Sequence, residues 1–293
     1  MQNQGISPGL RARVALEKHG FSFTHSLGQN FILDDGFLDE IAAESGVGEG
    51  EAVLEIGPGP GILTSCLAAR CRKVLALEID RKLEPVLSEV LEGVDNAEVV
   101  FTDVMKCDLP ALLEERFPGE TVQVVANLPY YITADVIERL LTCGANIGNI
   151  TVMVQKEAAE RIGAQTGNKN YCALAMLTQY YREVEELMDV PQERFMPPPH
   201  VMSRLIRLNR RTDGLRARDE KLLLRLIRSA FRMRRKTLVN NLTGDFGLSR
   251  EDAEGLLRSQ NLDARIRGEA MSVEQVTLLS DALGELLQAR AHG

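Results

Sequence analysis

The stretch "EAVLEIGPGPGILTSCLAARC" (residues 51–71) decides the fold. An apolar run ends at Gly57, which predicts a buried strand, and after a glycine-rich turn the apolar residues recur at helical spacing. Further strands are predicted at 73–80, 97–103, 122–127 and 149–155, with helical patterns at 82–93 and 134–144. This alternation predicts an α/β fold, a doubly wound and mostly parallel sheet whose ligand lies beyond the carboxyl ends of the strands.

The pattern changes after about residue 181. Two more strands are predicted, at 184–190 and 201–208. After "RTDG" (211–214) every apolar pattern is helical, over 219–242, 249–260 and 272–290. The sequence therefore predicts a sheet-containing domain over 1–212 and a smaller all-helical domain over 213–293.

Composition narrows the class of protein. The 293 residues are 44% hydrophobic and 26% charged, which is ordinary for a soluble globular protein. No apolar run reaches the ~18 residues that a membrane helix needs, and the N-terminus lacks the apolar core of a signal peptide. The five cysteines form no CxxC pair, so we expect no metal site and a reduced, cytoplasmic protein.

The charge is unevenly distributed along the chain. The net charge is −8, but the span from Arg204 to Lys236 holds thirteen Lys or Arg and three acidic residues, a net charge of +10. The rest of the chain therefore carries −18. An acidic body with one strongly basic segment can bind a polyanion locally.

The turn "EIGPGPG" (55–61) follows the first strand. Its glycines, Gly57, Gly59 and Gly61, permit a tight turn and close approach of a ligand to the backbone. A nicotinamide-dinucleotide fingerprint requires glycine or alanine at the sixth position, where this chain has Ile62. A plain strand–helix turn is the alternative interpretation.

Acidic residues follow the next two strands. Glu78 is placed to accept hydrogen bonds from the two hydroxyls of a ribose, a role that an acid at this point has in both nicotinamide and adenosylmethionine enzymes. The alternative is that its negative charge stabilises the N-terminus of the next helix. Asp103 can accept a hydrogen bond from an adenine amine with Val104 beside the ring, or can be a turn residue. Adjacent strand ends of this kind line one crevice of a doubly wound sheet.

The fourth strand ends in "NLPY" (127–130). Pro129 holds Leu128 extended and fixes the direction of its carbonyl, and Asn127 adds a second acceptor oxygen. Tyr130 offers a flat face for a base to stack on. Two acceptors beside an aromatic plane suit the exocyclic amine of a planar heterocycle; the alternative is an asparagine satisfying a turn beside two core tyrosines.

These motifs together resemble the ribosomal RNA adenine dimethyltransferases, most closely those that act on small-subunit RNA. The matching stretches are "HSLGQNFILDD" (25–35), "EIGPGPGILT" (55–64), "LEID" (77–80), "TDV" (102–104), "NLPYYI" (127–132), "QKEAAERI" (155–162), "RFMPPPHVMSRLIRL" (194–208) and "FRMRRKTLVNNL" (231–242). The resemblance implies a Rossmann-like class I methyltransferase domain and an RNA-binding helical domain.

The resemblance also implies roles for individual residues. It implies S-adenosyl-L-methionine as cofactor, bound by Asn30, Ile32, Gly57, Gly59, Glu78, Asp103, Val104 and Asn127. The catalytic set is Asn127, Leu128, Pro129, Tyr130 and Phe195, with Phe195 near Tyr130 so that two rings sandwich a flipped adenine. RNA phosphates are expected at Arg232, Arg234, Arg235 and Lys236, for which a solvated helix face is the alternative. Without the resemblance, "QNF" (29–31) is a polar loop with one anchoring phenylalanine.

Three positions depart from the family pattern. Cys172 stands where a glycine is frequent, His200 where a lysine is frequent, and Arg204 where a small residue is frequent. We expect these changes to affect RNA contacts rather than the chemistry.

The expected function is dimethylation of the N6 amine of adenines, two adjacent ones, in a hairpin loop of small-subunit (16S) ribosomal RNA. The expected partner is the RNA or the 30S precursor particle, with a role in small-subunit biogenesis and a monomeric enzyme. The alternatives are a large-subunit RNA methyltransferase that confers antibiotic resistance, an assembly factor acting mainly by RNA binding, and a nicotinamide dehydrogenase, which Ile62 and "NLPY" disfavour.

Overall fold

The computed structural model describes residues 6–24, 27–214, 216–233 and 235–292. Its strands are β1 (Phe31–Ile32), β2 (Ala52–Ile56), β3 (Lys73–Glu78), β4 (Ala97–Phe101), β5 (Val122–Asn127), β6 (Ile147–Gln155), β7 (Arg182–Val190), β8 (Phe195–Met196) and β9 (Ser203–Arg210). Its helices are α1 (Pro8–Lys18), α2 (Asp35–Glu44), α3 (Ile62–Ala68), α4 (Glu84–Val90), α5 (Leu109–Arg116), α6 (Thr133–Thr142), α7 (Lys156–Ile162), α8 (Ala173–Tyr181), α9 (Glu220–Arg232), α10 (Leu238–Phe246), α11 (Arg250–Ser259) and α12 (Val273–His292). No helix in these ranges is long and apolar enough to cross a membrane.

The chain divides into two compact units. The first comprises 1–159 with 184–210, and the second comprises 160–183 with 211–293.

The first unit is built on one mainly parallel sheet. The strand order is β4-β3-β2-β5-β6-β9-β7. From β4 to β6 every neighbouring pair is parallel, whereas β9 pairs antiparallel with β6. The predicted doubly wound α/β fold is thus confirmed. The chain runs outward from β2 to β4 and then returns to place β5 on the other side of β2, so the topological switch point lies between β2 and β5.

The strands at the centre of the sheet are largely buried, namely β2, β3, β5 and β6. Every residue of β2 is buried, including Val53 and Leu54. On one side of the sheet the core contains Ala12, Ile41, Leu67 and Val86, contributed by α1, α2, α3 and α4 in turn. Such complete burial explains why these strands have continuous apolar runs rather than alternating ones.

The helical unit differs from the prediction at one break. A continuous helix over 219–242 is wrong, because α9 ends at Arg232 and α10 begins at Leu238. The Leu238 N–H donates to the Ile266 carbonyl (2.8 Å) instead of continuing the helix. A Cβ on Gly268 would lie only 2.3 Å from the Ala230 carbonyl, so the 261–270 segment packs directly against the end of α9.

Residues 160–183, assigned above to the first domain, lie in the second unit instead. The buried Tyr171 ring meets Phe231 of α9 edge-on, with centroids 5.8 Å apart. Tyr180 of α8 has Arg216 over its ring at 5.2 Å. These aromatic contacts tie the segment to the helices although it is distant from them in sequence.

Candidate active site

A cavity of about 230 Å³ lies at the carboxyl ends of four neighbouring strands in the first unit. The loops after β2, β3, β4 and β5 form its walls, together with residues 27–31. Of the predicted site residues it is lined by Asn30, Gly57, Gly59, Glu78, Asp103, Val104, Asn127, Leu128, Pro129 and Tyr130. The sheet therefore brings together most of the predicted set.

The glycine-rich turn brings backbone to the cavity wall. Gly57 and Gly59 have φ of +70° and +55°, a region that residues with a Cβ rarely adopt. A Cβ on Gly57 would meet nothing within 4 Å, so this position opens onto free space. A Cβ on Gly59 would lie 3.1 Å from the Phe31 ring. The turn thus needs glycine at both positions for the positive φ, and at Gly59 also for the close approach of the Phe31 ring.

Glu78 is buried, and backbone N–H groups hold its carboxylate. Oε1 accepts from Ile79 and Asp80, both at 2.8 Å, and Oε2 accepts from Gly59 at 3.2 Å. Burial raises the pKa of Glu78, although these hydrogen bonds oppose the rise. Since a carboxylate has about four acceptor positions, Oε2 keeps capacity for one further donor.

Asp103 follows β4 and forms a local turn. Its Oδ1 accepts from the Met105 N–H (2.9 Å), and Lys106 Nζ lies 3.3 Å from Oδ2. The Lys106 side chain is 84% exposed, so this ion pair is weak. Val104 is buried beside it. Both interpretations of Asp103, a turn residue and a cavity residue, therefore describe its geometry.

Asn127 and Leu128 form a corner where β5 ends. The Leu128 N–H donates to the Met153 carbonyl of β6 (3.1 Å), and Asn127 Nδ2 donates to the Asn30 carbonyl (3.3 Å). Within the described part of the chain, neither Asn127 Oδ1 nor the Leu128 carbonyl accepts a hydrogen bond. Two acceptor oxygens at the cavity wall are thus available to a donor.

Tyr130 is anchored through its hydroxyl. Its oxygen lies 2.7 Å from Oγ of Ser203, a fully buried residue at the start of β9. Burial raises the pKa of the Tyr130 phenol, so the hydroxyl stays neutral. Tyr131, which also lines the cavity, is 54% exposed. The Tyr130 ring is therefore held in place by a residue of β9, the strand that pairs antiparallel with β6.

Two predicted residues do not line this cavity. Ile32 and Phe195 face each other across the antiparallel pair β1–β8, and both are 4% exposed. Ile32 borders a smaller cavity of about 30 Å³ beneath the glycine-rich turn, while its neighbour Phe31 lines the main one. The expected pairing of the Phe195 and Tyr130 rings stays a prediction.

Sequence reasoning missed Glu55. Its carboxyl is buried in β2, and Oε2 has no hydrogen-bond partner in the described structure. Burial raises the pKa of Glu55 to about 8, against the opposing effect of Thr64. Glu55 borders the smaller cavity together with Asn127. An acid inside an otherwise apolar strand was the available signal.

Gln29 is a further residue of this site that the sequence motifs did not indicate. It lines the main cavity beside Asn30, and its side-chain amide is hydrogen-bonded on both sides.

The basic segment is partly neutralised by acids outside it. Arg204 forms ion pairs with Glu186 and Asp189. Hydrogen bonds from Arg204 and Lys156 lower the pKa of Asp189 to about 2. Further pairs are Arg207–Glu185, Arg218–Glu285 and Arg232–Asp245. Arg235 and Lys236 are exposed, and Arg234 lies outside the described residues. The net +10 of the sequence thus overstates the charge presented to solvent.

The three departures from the family pattern have simple surroundings. Cys172 has an extended backbone (φ −149°, ψ 175°), which any residue adopts, so the absent glycine causes no strain. His200 is exposed. Arg204 is engaged in ion pairs on the sheet. Among the described ranges, no group of three or more His, Cys, Asp or Glu is arranged to hold a metal ion.

Comparison with known proteins agrees with this geometry. The glycine-rich turn after β2 and the acids that follow β3 and β4, at the carboxyl ends of a mainly parallel sheet, are typical of a Rossmann-like fold. The family model of the ribosomal RNA adenine dimethylases matches residues 20–281. The chain therefore belongs to the ribosomal RNA adenine dimethylase family and is a methyltransferase.

Relatives cover nearly the whole chain. Proteins from Bacillus licheniformis and Alkaliphilus oremlandii, each named ribosomal RNA small subunit methyltransferase A, are 41% identical over 97% and 96% of this chain and 99% of their own. A dimethyladenosine transferase structure from Plasmodium falciparum has a TM-score of 0.70 at 24% identity, covering 86% of this chain and 97% of its own. The 23S rRNA methyltransferase ErmE has a TM-score of 0.64 at 28% identity, covering 87% and 100%.

Proposed function

We propose that this protein uses S-adenosyl-L-methionine to dimethylate the N6 amine of adenines in small-subunit (16S) ribosomal RNA. The targets are two adjacent adenines in a hairpin loop, and the reaction serves small-subunit biogenesis. Family membership and the 41% identical relatives support this. The observation that carries the proposal is the corner with two available acceptors, Asn127 Oδ1 and the Leu128 carbonyl, in the same cavity as the Tyr130 ring.

The cavity fits the proposed cofactor. Glu78 Oε2 has capacity left for a ribose hydroxyl, and the open space at Gly57 allows a ligand to approach the backbone. Asp103 and Val104 offer an acceptor and an apolar wall for an adenine ring. The residues that would hold the cofactor are Asn30, Ile32, Gly57, Gly59, Glu78, Asp103, Val104 and Asn127. When bound, S-adenosyl-L-methionine supplies an electrophilic methyl group on its sulfonium.

The corner at Asn127 suits activation of an adenine amine. The lone pair of this amine is delocalised into the ring, so the neutral nitrogen is a poor nucleophile. Hydrogen bonds from its two protons to Asn127 Oδ1 and the Leu128 carbonyl favour a more tetrahedral nitrogen. Pro129 keeps the Leu128 carbonyl in place, and Tyr130, with Phe195 as proposed second ring, stacks on the base. Catalysis rests on positioning and on preorganised acceptors, with no strong base needed before transfer.

The helical unit is proposed to hold the RNA. Arg235 and Lys236 are exposed and suited to phosphate contact, and Arg232 and Arg234 complete the proposed set. The proposed domains are accordingly a catalytic one and an RNA-binding one. The proposal includes a monomeric, cytoplasmic enzyme that acts on the 30S precursor particle.

One alternative has its own support. The likeness to ErmE favours large-subunit RNA as substrate. The higher identity and near-complete coverage of the small-subunit relatives favour the main proposal. An assembly role that depends on RNA binding alone is the remaining alternative.

Mass spectrometry of both ribosomal RNAs from a strain lacking the protein tests the proposal. We expect dimethyladenosine to disappear from small-subunit RNA and to return on complementation with the wild-type gene but not with Asn127→Ala. Loss from large-subunit RNA instead would establish the ErmE-like alternative. Unchanged modification of both RNAs, with defective assembly, would favour the assembly role.

A further inference from the structure

The side-chain amide of Gln29 joins two walls of the cavity. Its Oε1 accepts from the Thr24 N–H, and its Nε2 donates to Asp80 Oδ2, both at 2.7 Å. Asp80 is 8% exposed, and its other oxygen accepts from the Lys82 N–H (3.1 Å). Each group in this chain of hydrogen bonds therefore has a defined role as donor or acceptor.

Gln29 and Asp80, the two partners of this hydrogen bond, are each next to residues of the candidate site. Gln29 lies between Gly28 and Asn30, which also line the cavity, and the Asn30 carbonyl accepts from Asn127 Nδ2. Asp80 stands two residues after Glu78, and its own N–H donates to Glu78 Oε1. The Gln29–Asp80 contact thus connects the Asn30 wall with the Glu78 wall.

The primary amide of Gln29 meets both demands at this position. It must accept from a backbone N–H on one side and donate to a carboxylate on the other. Glutamate cannot donate, and lysine cannot accept. A hydrogen bond to a buried carboxylate is also stronger than one between neutral groups.

We infer that Gln29 is a positioning residue that, through Asp80, sets the spacing of Asn30 and Glu78 across the cofactor cavity. This inference rests on the proposed function, because it concerns the same cavity. Gln29 has no part in the transfer step, so its loss affects cofactor affinity and leaves the rate of transfer at saturating cofactor nearly unchanged.

A donor–acceptor swap tests the inference in the full-length chain. In Gln29→Glu two carboxylates face each other, and in Asp80→Asn either the Gln29 or the Lys82 donor meets a second donor. In the double variant, the amide introduced at position 80 donates to the carboxylate introduced at position 29. The oxygen of that amide still accepts from the Lys82 N–H, and the carboxylate still accepts from the Thr24 N–H. Calorimetry with S-adenosylhomocysteine should show at least about tenfold weaker binding in each single variant, the lower end of the range for one charged hydrogen bond, and recovery to within about threefold in the double variant.

Gln123→Glu provides a matched control. Gln123 accepts from the Asn149 N–H and donates to Glu51 Oε1, both at 2.7 Å, and it does not line the cavity. The same substitution there breaks the same kind of contact near the opposite ends of the strands. We expect unchanged affinity for S-adenosylhomocysteine, even if thermal unfolding shows an equal loss of stability.

The outcomes separate this inference from the proposed function. Normal binding by wild type with unchanged affinity in Gln29→Glu overturns the inference alone. So does a double variant that binds no better than the weaker single, or a Gln123→Glu variant that loses as much affinity as Gln29→Glu. Absence of binding by the wild-type protein overturns the cofactor assignment and the inference together. Single-turnover transfer by Gln29→Glu at saturating cofactor should stay within about threefold of wild type, as expected when only uniform binding is lost.

Discussion

Substitution of Asn127 distinguishes activation of the target amine from support of the cavity wall. Asn127→Ala removes Oδ1, one of two acceptors proposed for the amine, and also the Nδ2 hydrogen bond to the Asn30 carbonyl. Asn127→Asp keeps an acceptor oxygen but cannot donate to Asn30. Both variants therefore lose the hydrogen bond to Asn30, but only Asn127→Ala loses the acceptor oxygen.

The structure gives different magnitudes for the two losses. Removal of one preorganised polar contact at a developing charge typically costs about 10²–10³ in turnover. The hydrogen bond to Asn30 is long, at 3.3 Å, and joins two neutral groups. Its loss should therefore cost about 0.5–1.5 kcal/mol and lower the affinity for the cofactor by about 2- to 13-fold. For Asn127→Ala we expect both effects. For Asn127→Asp we expect weaker cofactor binding with a smaller loss of transfer rate.

Single-turnover methylation of small-subunit particles from a deletion strain measures the transfer rate. Calorimetry with S-adenosylhomocysteine and filter binding of RNA, measured in parallel, isolate the two affinities. RNA affinity should stay close to wild type, because phosphate contacts supply most of it. The reasoning fails if Asn127→Ala transfers methyl groups at the wild-type rate under saturating cofactor.

Substitutions at three other places probe separate parts of the molecule. Tyr130→Phe should lower the free energy of unfolding by about 0.5–1.5 kcal/mol, because it removes the hydrogen bond to buried Ser203, but should leave the methyl-transfer rate within several-fold of wild type. Tyr130→Ala should lower the transfer rate severely, and equal effects of the two variants on that rate would argue against stacking. Glu78→Ala should weaken the binding of S-adenosylhomocysteine by about 1.5–3 kcal/mol, as measured by calorimetry, and unchanged affinity in a folded variant would refute the ribose assignment. Charge reversal of Arg235 and Lys236 should reduce the slope of log K against log salt by about 0.7–0.9 for each phosphate that is no longer neutralised, with cofactor affinity constant; an unaltered slope would mean that this face is merely solvated.

The parallel strands were predictable because their signal is local. β5 spans Val122–Asn127 as predicted, and β2 differs from the predicted 51–57 by one residue at each end. Strands buried on both faces are apolar at most positions, and the turns that follow them concentrate glycine and polar residues. The topology then brings those turns together at one edge, so the sequence was enough to predict a common crevice.

What the sequence did not show depends on contacts between distant residues. The helical pattern is broken between Arg232 and Leu238, and the Leu238 N–H donates to the distant Ile266 carbonyl. The Arg232 charge is paired by Asp245, and Arg204 by acids of another strand. Gln29 and Asp80 are 51 positions apart. No periodicity records such pairs, and so the charge of the basic segment was overestimated and Gln29 was passed over.

The anchoring of Tyr130 by Ser203 has a consequence for synthesis of the chain. Residues of the cavity come from positions between 27 and 132, but the hydrogen-bond partner of the Tyr130 hydroxyl, Ser203, leaves the ribosome some seventy positions later. A nascent chain that ends before β9 would have the residues that line the cavity but not the Ser203 partner of the Tyr130 hydroxyl. Ligand that binds only the finished form would then stabilise it by mass action, about 2.7 kcal/mol at a hundredfold excess over Kd.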